Sequence, residues 1–393
     1  MNLRNIFLQH NAQTSEAPMA LEISRASGNY LYDDSGKQYI DLIGGISVCN
    51  IGHCHPSVVA AITAQAQQYL HVMVYGELIQ SPQSLYAQWL SQHLPTTLNT
   101  VYFTNSGTEA TEGAMKLAKR VTGKTNFVSC TNSYHGHTQG ALSIMGSEVW
   151  KNNFRPLLPN CAQVAYNNYK IIELINEYTA AVILEPVQAE SGVIKADTNW
   201  LSAIRKRCDE TCTLLIYDEI QSGFGRTGKL WAFEHHQVLP DILLLGKALG
   251  GGMPLGAFVA SSKLMSTLSY SPMLGHLTTF GGHPVCCAAG LAAANVLLQE
   301  KLMDDVAIKE ALFIKNLQHP KIRNVSSAGL WLAVELDSFE TTQAVISYCL
   351  VNGVFTDWFL YASNCVRIAP PLTITEADIE QSCRVLVNAL HAI

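Results

Sequence analysis

The sequence has few charged residues, and this shortage disfavours several classes of protein. Only 14% of its 393 residues are Asp, Glu, Lys or Arg, whereas 48% are hydrophobic. No segment is rich in Lys or Arg, and the net charge of −6 argues against nucleic acid or an anionic membrane as the partner. The composition predicts a folded chain with a large core rather than a disordered one. The length suits a large domain together with a smaller one.

Long apolar runs and targeting signals are also missing. No apolar stretch is long enough to span a bilayer, and the first 18 residues are too polar for a signal peptide. We therefore expect a cytoplasmic protein. The low charge and the positive mean hydropathy indicate that a second subunit covers some apolar surface.

The cysteines lack the grouping of a metal site or a disulfide framework. There are 11 of them, scattered along the chain, as is typical of buried free thiols in a reducing compartment. Cys208 and Cys212 are four positions apart on a predicted helix, and Cys286 and Cys287 are adjacent. Neither arrangement has the second pair that a structural zinc site needs. We predict that all four pack in the core and that no metal is bound.

Short apolar strands alternate with helical patterns from about residue 56 to 300. The strands are predicted at 101–103, 126–130, 180–185, 214–218 and 242–246, and the clearest helices at 107–122 and 198–211. This alternation is typical of an α/β fold with a mostly parallel sheet covered by helices on both faces.

The two ends of the chain have a different pattern. Residues 29–48 predict two short strands around a turn, and strand-like segments at 329–336 and 365–370 lie between helical ones. These ends predict a smaller α+β domain. We place the large domain at 51–298 and the small domain at 1–50 with 299–393.

Polar residues follow several strands of the predicted sheet. They are Asn105 to Thr108, Glu185, Asp218 and Lys247. In open α/β sheets the ligand lies beyond the carboxyl ends of the strands, so these residues predict one shared site.

Lys247 and Asp218 carry the most specific chemical signal. Lys247 is the only charge in ILLLGKALGGGMPLGAF, and a buried ammonium is unfavourable unless it is paired or neutralised. A desolvated lysine suits the formation of a Schiff base, and a buried aspartate can hold the pyridinium nitrogen of pyridoxal phosphate. Alternatively, the lysine amine reaches the surface and the aspartate begins a turn.

Two further segments could bind such a cofactor. Ser106, Gly107 and Thr108 open a predicted helix, whose free N–H groups can bind a phosphate, although Ser and Thr also cap helices without a ligand. Tyr134 could stack on a flat ring or simply pack against the core. The glycines at 250–252 match neither a P-loop nor a dinucleotide fingerprint.

Eight segments, in the same order, resemble the class III aminotransferases, the pyridoxal-phosphate family of acetylornithine, ornithine and 4-aminobutyrate aminotransferases. They are GGISVCNIGHCHP (44–56), NSGTEA (105–110), YHGHT (134–138), EPVQAESGV (185–193), DEIQSGFGRTG (218–228), GKALGGGMP (246–254), TTFGGHP (278–284) and RIAPPLTIT (367–375). The resemblance covers nearly the whole chain. It implies a fold-type-I transferase that uses pyridoxal 5'-phosphate.

The resemblance also implies the roles of the cofactor-binding residues. Lys247 would form the Schiff base and move the substrate proton, while Asp218 would keep the pyridine nitrogen protonated. The other cofactor-binding positions implied are Gln221 at the ring hydroxyl, Tyr134 and Ile220 on the two ring faces, His135 beside Tyr134, and Ser106, Gly107 and Thr108 at the phosphate. Thr279 from a neighbouring subunit would join the phosphate site, which implies a homodimer with shared active sites.

The substrate-binding residues follow the family pattern only in part. Arg367 resembles the arginine that binds the α-carboxylate of glutamate and 2-oxoglutarate, and Glu190 resembles the glutamate that pairs with it when an amine enters end-first. Thr278 and His137 complete the expected substrate residues. His137 stands where the family's arginine binds the distal carboxylate of the donor, and imidazole cannot make that two-point contact.

This departure leads to a hypothesis about the amino donor. The tyrosine that helps ornithine enzymes has no counterpart in residues 13–18 either. We expect a donor other than ornithine or acetylornithine, such as a less acidic ω-amine; alternatively, another residue supplies the missing clamp. Asn is usual at His283 and Gly at Ala189, and nothing in the sequence explains these two differences.

The predicted activity is transfer of an amino group from an ω-amine to a 2-oxo acid, with 2-oxoglutarate as the expected acceptor, in two ping-pong half-reactions. A decarboxylase, lyase or aminomutase on the same scaffold is the first alternative, because the cofactor site alone does not choose the reaction. A regulatory protein that binds the cofactor without catalysis is the second.

Overall fold

The structure, a computed structural model, describes residues 3–393. Its strands are β1 (Ile23–Ser27), β2 (Tyr30–Asp33), β3 (Gln38–Asp41), β4 (Thr100–Thr104), β5 (Asn126–Cys130), β6 (Cys161–Val164), β7 (Thr179–Leu184), β8 (Val187–Gln188), β9 (Ile194–Lys195), β10 (Leu214–Asp218), β11 (Ile242–Leu245), β12 (Gly256–Ala260), β13 (Asn324–Ser327), β14 (Leu332–Glu335), β15 (Val354–Phe355) and β16 (Cys365–Ile368).

The α-helices cover the sheets and connect them. They are α1 (Leu3–His10), α2 (Gly44–Ser47), α3 (Pro56–Gln68), α4 (Ser81–Gln92), α5 (Gly107–Thr122), α6 (Gln139–Ile144), α7 (Glu148–Lys151), α8 (Ile171–Leu174), α9 (Thr198–Thr211), α10 (Ser262–Met265), α11 (Pro284–Gln299), α12 (Val306–Asn316), α13 (Phe339–Val351) and α14 (Glu376–Ala392). No helix within residues 3–393 is long and apolar enough to cross a membrane.

A seven-stranded sheet forms the centre of the molecule, in the order β4-β12-β11-β10-β7-β5-β6. The strands from β11 to β6 pair in parallel, whereas β12 is antiparallel to both β4 and β11. The predicted mostly parallel α/β fold is therefore confirmed. Two strands of this sheet, β6 and β12, were not among the sequence predictions.

Helices bury both faces of this sheet. In β7, the side chain of Val182 joins the same apolar cluster as Leu215 and residues of α11, while Ile183 joins Ala114 of α5 in the cluster on the other face. Every residue of β7 is buried, as expected for a parallel strand covered on both sides. Helix α5 begins after Ser106, whose hydroxyl accepts from the amide of Glu109, and ends at the left-handed Gly123.

Two smaller sheets come from the ends of the chain. One has the order β1-β2-β3-β15, in which the three N-terminal strands pair antiparallel with one another and β3 pairs in parallel with β15. The other is the antiparallel sheet β13-β14-β16, which carries Arg367 on its last strand. The division into domains at 51–298 and the two flanking segments stays a prediction.

All 11 cysteines are free thiols. Cys208, Cys286 and Cys287 are buried in the core, as predicted. The prediction was wrong for Cys212, which is exposed. This residue ends α9 with a left-handed backbone at the surface, so it no longer lies on the buried face of that helix.

Candidate active site

The carboxyl ends of the central strands surround a cavity of about 290 Å³. Its lining residues are Gly107, Thr108, Tyr134, His135, Gly136, His137, Glu185, Val187, Ala189, Asp218, Ile220, Gln221, Ser222, Lys247 and Trp331. The structure thus brings together polar residues that follow β4, β5, β7, β10 and β11, at the end of the sheet where the topology predicts a ligand.

Lys247 lies at the end of β11, where the chain turns sharply into a short 3₁₀ helix. Its backbone has a φ of +47°, a left-handed conformation that residues other than glycine seldom adopt. The ammonium Nζ donates to Oε1 of Gln221 at 2.5 Å. Burial lowers the pKa of Lys247 to about 8, so a larger fraction of this amine is neutral near pH 7 than in an ordinary lysine.

Asp218 ends β10 with its carboxylate held from two sides. Oδ2 contacts Nδ1 of His135 at 2.8 Å, and Oδ1 accepts from the amide of Ile220 at 3.0 Å. Burial alone would lower the pKa of His135, but the hydrogen bond and the charge of Asp218 outweigh it and raise that pKa. His135 is thereby kept beside the carboxylate as its orienting partner.

The start of α5 forms one wall of the cavity. The amide of Ala110 donates to the carbonyl of Ser106 at 3.1 Å, the first backbone hydrogen bond of the helix. The amides of Gly107 and Thr108 precede it and, like the first amides of any helix, have no carbonyl partner within the helix. A Cβ at Gly107 would lie 2.7 Å from Ile220, and one at Gly136 would lie 2.2 Å from the Thr108 hydroxyl. Both glycines are therefore required by close packing around the helix start.

The residues around the cavity fit pyridoxal 5'-phosphate. Asp218 offers a fixed carboxylate for a ring nitrogen, Lys247 offers an amine of lowered pKa, and the start of α5 offers amides and a dipole for a phosphate. The amide nitrogen of Gln221 is buried without a hydrogen-bond partner among residues 3–393, so it is a donor available to a ring hydroxyl. The ring of Tyr134 lines the same cavity.

His137 is exposed on the cavity wall, and its ring lies edge-on to that of Tyr134 with centroids 5.3 Å apart. The amide of Tyr134 donates to Glu185 at 3.1 Å, and the amide of Ala189 donates to the other oxygen of the same carboxylate at 2.8 Å. Burial raises the pKa of Glu185 to about 7. The loop that carries His137 is thus held to the end of β7.

Glu190 and Arg367 form a buried ion pair. Nη1 of Arg367 lies 2.9 Å from one carboxylate oxygen and Nη2 lies 3.0 Å from the other. Burial alone would raise the pKa of Glu190, but the charge and hydrogen bonds of Arg367 lower it below its usual range. Asp357 binds the same guanidinium through Nε at 2.8 Å. Neither Glu190 nor Arg367 is among the residues that line the cavity.

The two predicted threonines lie elsewhere in this chain. The hydroxyl of Thr278 accepts from Asn105 at 3.3 Å and from the amide of Gly281 at 3.0 Å, beside a second cavity. Thr279 is exposed. Neither lines the first cavity, so a role for Thr279 at the phosphate would require a neighbouring subunit.

The structure adds residues to the site that sequence reasoning did not select. The sequence places Glu185 near the site without a role, and no motif in it singles out Trp331 or Asp357. Trp331 precedes β14 and reaches the cavity from the second small sheet. Asp357 lies ten positions before Arg367, and only the folding back of this segment brings the two side chains together.

The family profile described as aminotransferase class-III matches residues 11–390. An acetylornithine aminotransferase from Methanopyrus kandleri is 38% identical over 398 residues, covering all of both chains. A putrescine aminotransferase from Pectobacterium atrosepticum is 42% identical over 384 residues, covering 93% of this chain and 81% of its own.

Solved structures of aminotransferases also match this chain over nearly its whole length. The ornithine aminotransferase from Toxoplasma gondii, whose crystals contain PLP at partial occupancy, has a TM-score of 0.91 at 30% identity and covers 100% of this chain and 94% of its own. A PLP-bound amine transaminase from an uncultivated Pseudomonas species has a TM-score of 0.90 at 28% identity, with 98% of each chain covered. Together with the cavity that Lys247 and Asp218 share, these matches establish that the chain belongs to the class III aminotransferases and is an enzyme that depends on pyridoxal 5'-phosphate.

Proposed function

We propose that the enzyme takes the terminal amino group of an ω-amine without a carboxylate at its far end, of the diamine class, and transfers it to 2-oxoglutarate. The observation that carries this proposal is the two-point ion pair between Glu190 and Arg367. The bound cofactor supplies the electron sink for the proton shift, and the residues of the chain decide which molecules reach it.

The ion pair favours an amine that has no α-carboxylate. Arg367 is 3% exposed and Glu190 7%, and both terminal nitrogens of the guanidinium are taken by the protein's own carboxylate. A substrate with an α-carboxylate must first displace Glu190, whereas the terminal amine of an ω-amine need not. Removing a partner from a buried ion pair is unfavourable by several kcal/mol, roughly 3–5, unless a new partner replaces it.

His137 favours a donor that carries no carboxylate at the end away from the reacting amine, so that this end is uncharged or cationic. The family places an arginine here to hold a distal carboxylate, and an imidazole is shorter and has no fork of donors. The relative from Pectobacterium acts on putrescine by name, a diamine with no carboxylate, and is 42% identical. The relatives named for acetylornithine are 38–39% identical, so overall similarity alone does not choose the donor.

Lys247 and Asp218 would perform the proton chemistry. The pKa of Lys247 is lowered to about 8, which suits an amine that must accept a proton and release it again near neutral pH. Gln221 fixes the position of Nζ through the 2.5 Å hydrogen bond. Asp218, oriented by His135 and the amide of Ile220, keeps a negative charge at one end of the cavity.

The acceptor half-reaction would use the same site in its open arrangement. When Glu190 turns away, Arg367 offers two parallel N–H donors to the α-carboxylate of a 2-oxo acid. The two half-reactions therefore alternate between a closed and an open ion pair. This alternation would let one cavity accept both a carboxylate-free donor and the α-carboxylate of a 2-oxo acid.

The test follows the visible absorbance band of the cofactor in the purified holoenzyme. Putrescine should bleach the band, 2-oxoglutarate should restore it, and N-acetylornithine should act at least about tenfold less efficiently. A donor consumed without any need for a 2-oxo acid would indicate a lyase or decarboxylase instead. In His137→Arg, the preference should shift toward N-acetylornithine; an unchanged preference would contradict the assigned role of His137.

Three further statements belong to the same proposal. We expect a cytoplasmic homodimer in which Thr279 of each subunit completes the phosphate site of the other. The exposed position of Thr279 supports this expectation. Residues 51–298 would form the cofactor-binding domain, and the two flanking segments the smaller one.

A further inference from the structure

We infer that Asp357 is a positioning residue for Arg367: it holds the guanidinium in place so that the carboxylate of a 2-oxo acid can replace Glu190. This inference rests on the proposed function, because it concerns the acceptor half-reaction. It assigns a task to a side chain that is neither in the cavity lining nor in any of the sequence motifs described above.

Three contacts surround the guanidinium of Arg367 besides Glu190. Nε donates to Oδ1 of Asp357 at 2.8 Å, and Nη2 donates to the carbonyl of Trp358 at 2.9 Å. The guanidinium carbon lies over the ring of Phe359, 4.4 Å from its centroid. All three come from consecutive residues of one segment. Because Asp357 uses Nε, it leaves Nη1 and Nη2 directed at Glu190.

The side-chain contact is not needed to hold this segment to β16. The amide of Arg367 already donates to the carbonyl of Asp357 at 2.9 Å, and Trp358 pairs with Val366 in an antiparallel bridge. The backbone therefore fixes the segment by itself. The carboxylate of Asp357 therefore serves to bind the guanidinium, and this contact at Nε fixes the plane in which Nη1 and Nη2 lie.

Asp357 also lowers the free energy needed to separate Glu190 from Arg367. Arg367 is 3% exposed, so when Glu190 leaves, the guanidinium would be a buried cation without a partner. Asp357, 22% exposed, remains bound to it and keeps it paired during the exchange. The acceptor carboxylate then meets an arginine that is already oriented and neutralised, and Glu190 is released more easily.

The experiment compares the acceptor and donor half-reactions in Asp357→Ala and Asp357→Asn holoenzymes. We expect the KM for 2-oxoglutarate to rise at least about tenfold in the alanine variant, the loss expected for a charged hydrogen bond, and about threefold in the asparagine variant. Asparagine can still accept from Nε but cannot neutralise the arginine. The rate at which putrescine bleaches the cofactor band should stay within about twofold of wild type in both variants.

Asp241→Asn is the matched control, because Asp241 also binds an arginine, Arg205, at 2.8 Å and does not line the cavity. It should leave the KM for 2-oxoglutarate unchanged. Thermal unfolding of each variant shows whether the fold is retained. Equal losses in both half-reactions, or an unchanged KM in the alanine variant, would overturn the role of Asp357.

Binding of glutarate separates this inference from the proposed function. Glutarate has the two carboxylates of 2-oxoglutarate but cannot accept an amino group, so calorimetry reports the carboxylate site without turnover. If wild type binds glutarate and Asp357→Ala binds it at least about tenfold more weakly, the role of Asp357 is supported even where 2-oxoglutarate proves not to be the acceptor. Glutarate affinity that is equal in the two proteins would overturn it.

Discussion

The carboxylate of Glu190 occupies both terminal nitrogens of Arg367, with the two contacts at 2.9 and 3.0 Å. The amide of Leu360 donates to the same carboxylate at 2.9 Å, so Glu190 is held from two directions. In the function proposed here, a protein carboxylate thus lies where Arg367 would bind the carboxylate of a substrate. The position of this one side chain would then control whether the site accepts a carboxylate or excludes it.

Glu190→Gln should change the choice of donor. Glutamine keeps one hydrogen bond to Arg367 but loses the charge, so the arginine becomes available to α-carboxylates. We expect kcat/KM for L-glutamate as donor to rise by about tenfold and that for putrescine to fall. Steady-state kinetics with each donor measure both effects. Glu148→Gln, which alters an exposed pair with Arg155, is the control and should change neither.

Gly136→Ala should weaken cofactor binding. The backbone φ of Gly136 is +121°, and an added Cβ would lie 2.2 Å from the Thr108 hydroxyl at the start of α5. The displaced helix start should raise the dissociation constant of pyridoxal 5'-phosphate from the apoprotein by at least about tenfold. Gly123→Ala serves as the control, because its Cβ would meet nothing within 4 Å. That variant should lower the melting temperature and leave cofactor affinity unchanged; a parallel loss of affinity would show that the Gly136 effect is not local.

The amine of Lys247 should react at an unusually low pH. Only the neutral amine is nucleophilic, and the pKa of Lys247 is lowered to about 8 by burial. In the apoprotein, acetylation of Lys247 by acetic anhydride should therefore be half-maximal near pH 8 and reach its plateau above that value. An ordinary lysine titrates near pH 10.4. Mass spectrometry of the peptides measures the reaction, with the exposed Lys206 as internal reference; equal pH profiles for the two would refute the prediction.

Arg226 should contribute strongly to stability. Its fully buried guanidinium donates to the carbonyls of Leu330 and Pro370 at 2.6 and 2.7 Å, and to the side-chain oxygen of Asn50 at 2.5 Å. Lysine cannot reach all three oxygens. Arg226→Lys should therefore lower the free energy of unfolding by about 2–4 kcal/mol, because buried acceptors lose their donor.

Chemical denaturation of the holoenzyme measures this loss, and Arg155→Lys provides the comparison. Arg155 forms an exposed pair with Glu148, so its replacement should change the free energy of unfolding by less than about 0.5 kcal/mol. If both variants unfold like wild type, the three contacts of Arg226 contribute no more than a surface pair does.

Much of the fold follows from local sequence. Helix α5 has the predicted bounds because Ser106 caps its start and Gly123 adopts the left-handed conformation that ends it. The strands β5 and β10 also match, because apolar runs of this length between turns suit buried strands. The convergence of Asp218 and Lys247 was predictable, since the ends of parallel strands meet at one edge.

The position and direction of β12 were not predictable in the same way. Its five residues, Gly256–Ala260, resemble any other apolar run, yet the strand inserts between β4 and β11 and is antiparallel to both. The exposure of Cys212 was missed for a related reason: helical spacing predicted a buried face, but the helix ends one residue earlier. Both features depend on how elements meet in space.

The sequence by itself determined the family and the cofactor, because the motifs around Lys247, Asp218 and Gly107 follow one another in the family's order. It also determined the strands whose ends carry these residues, since hydrophobic periodicity and helix capping depend on residues that are close in sequence. The resemblance also implied that Glu190 pairs with Arg367, and the two side chains do form an ion pair. Only the tertiary structure decided that Asp357 holds the same guanidinium and that Trp331 reaches the cavity. Asp357 and Arg367 are ten positions apart, and no local pattern encodes which side chains will share one buried charge.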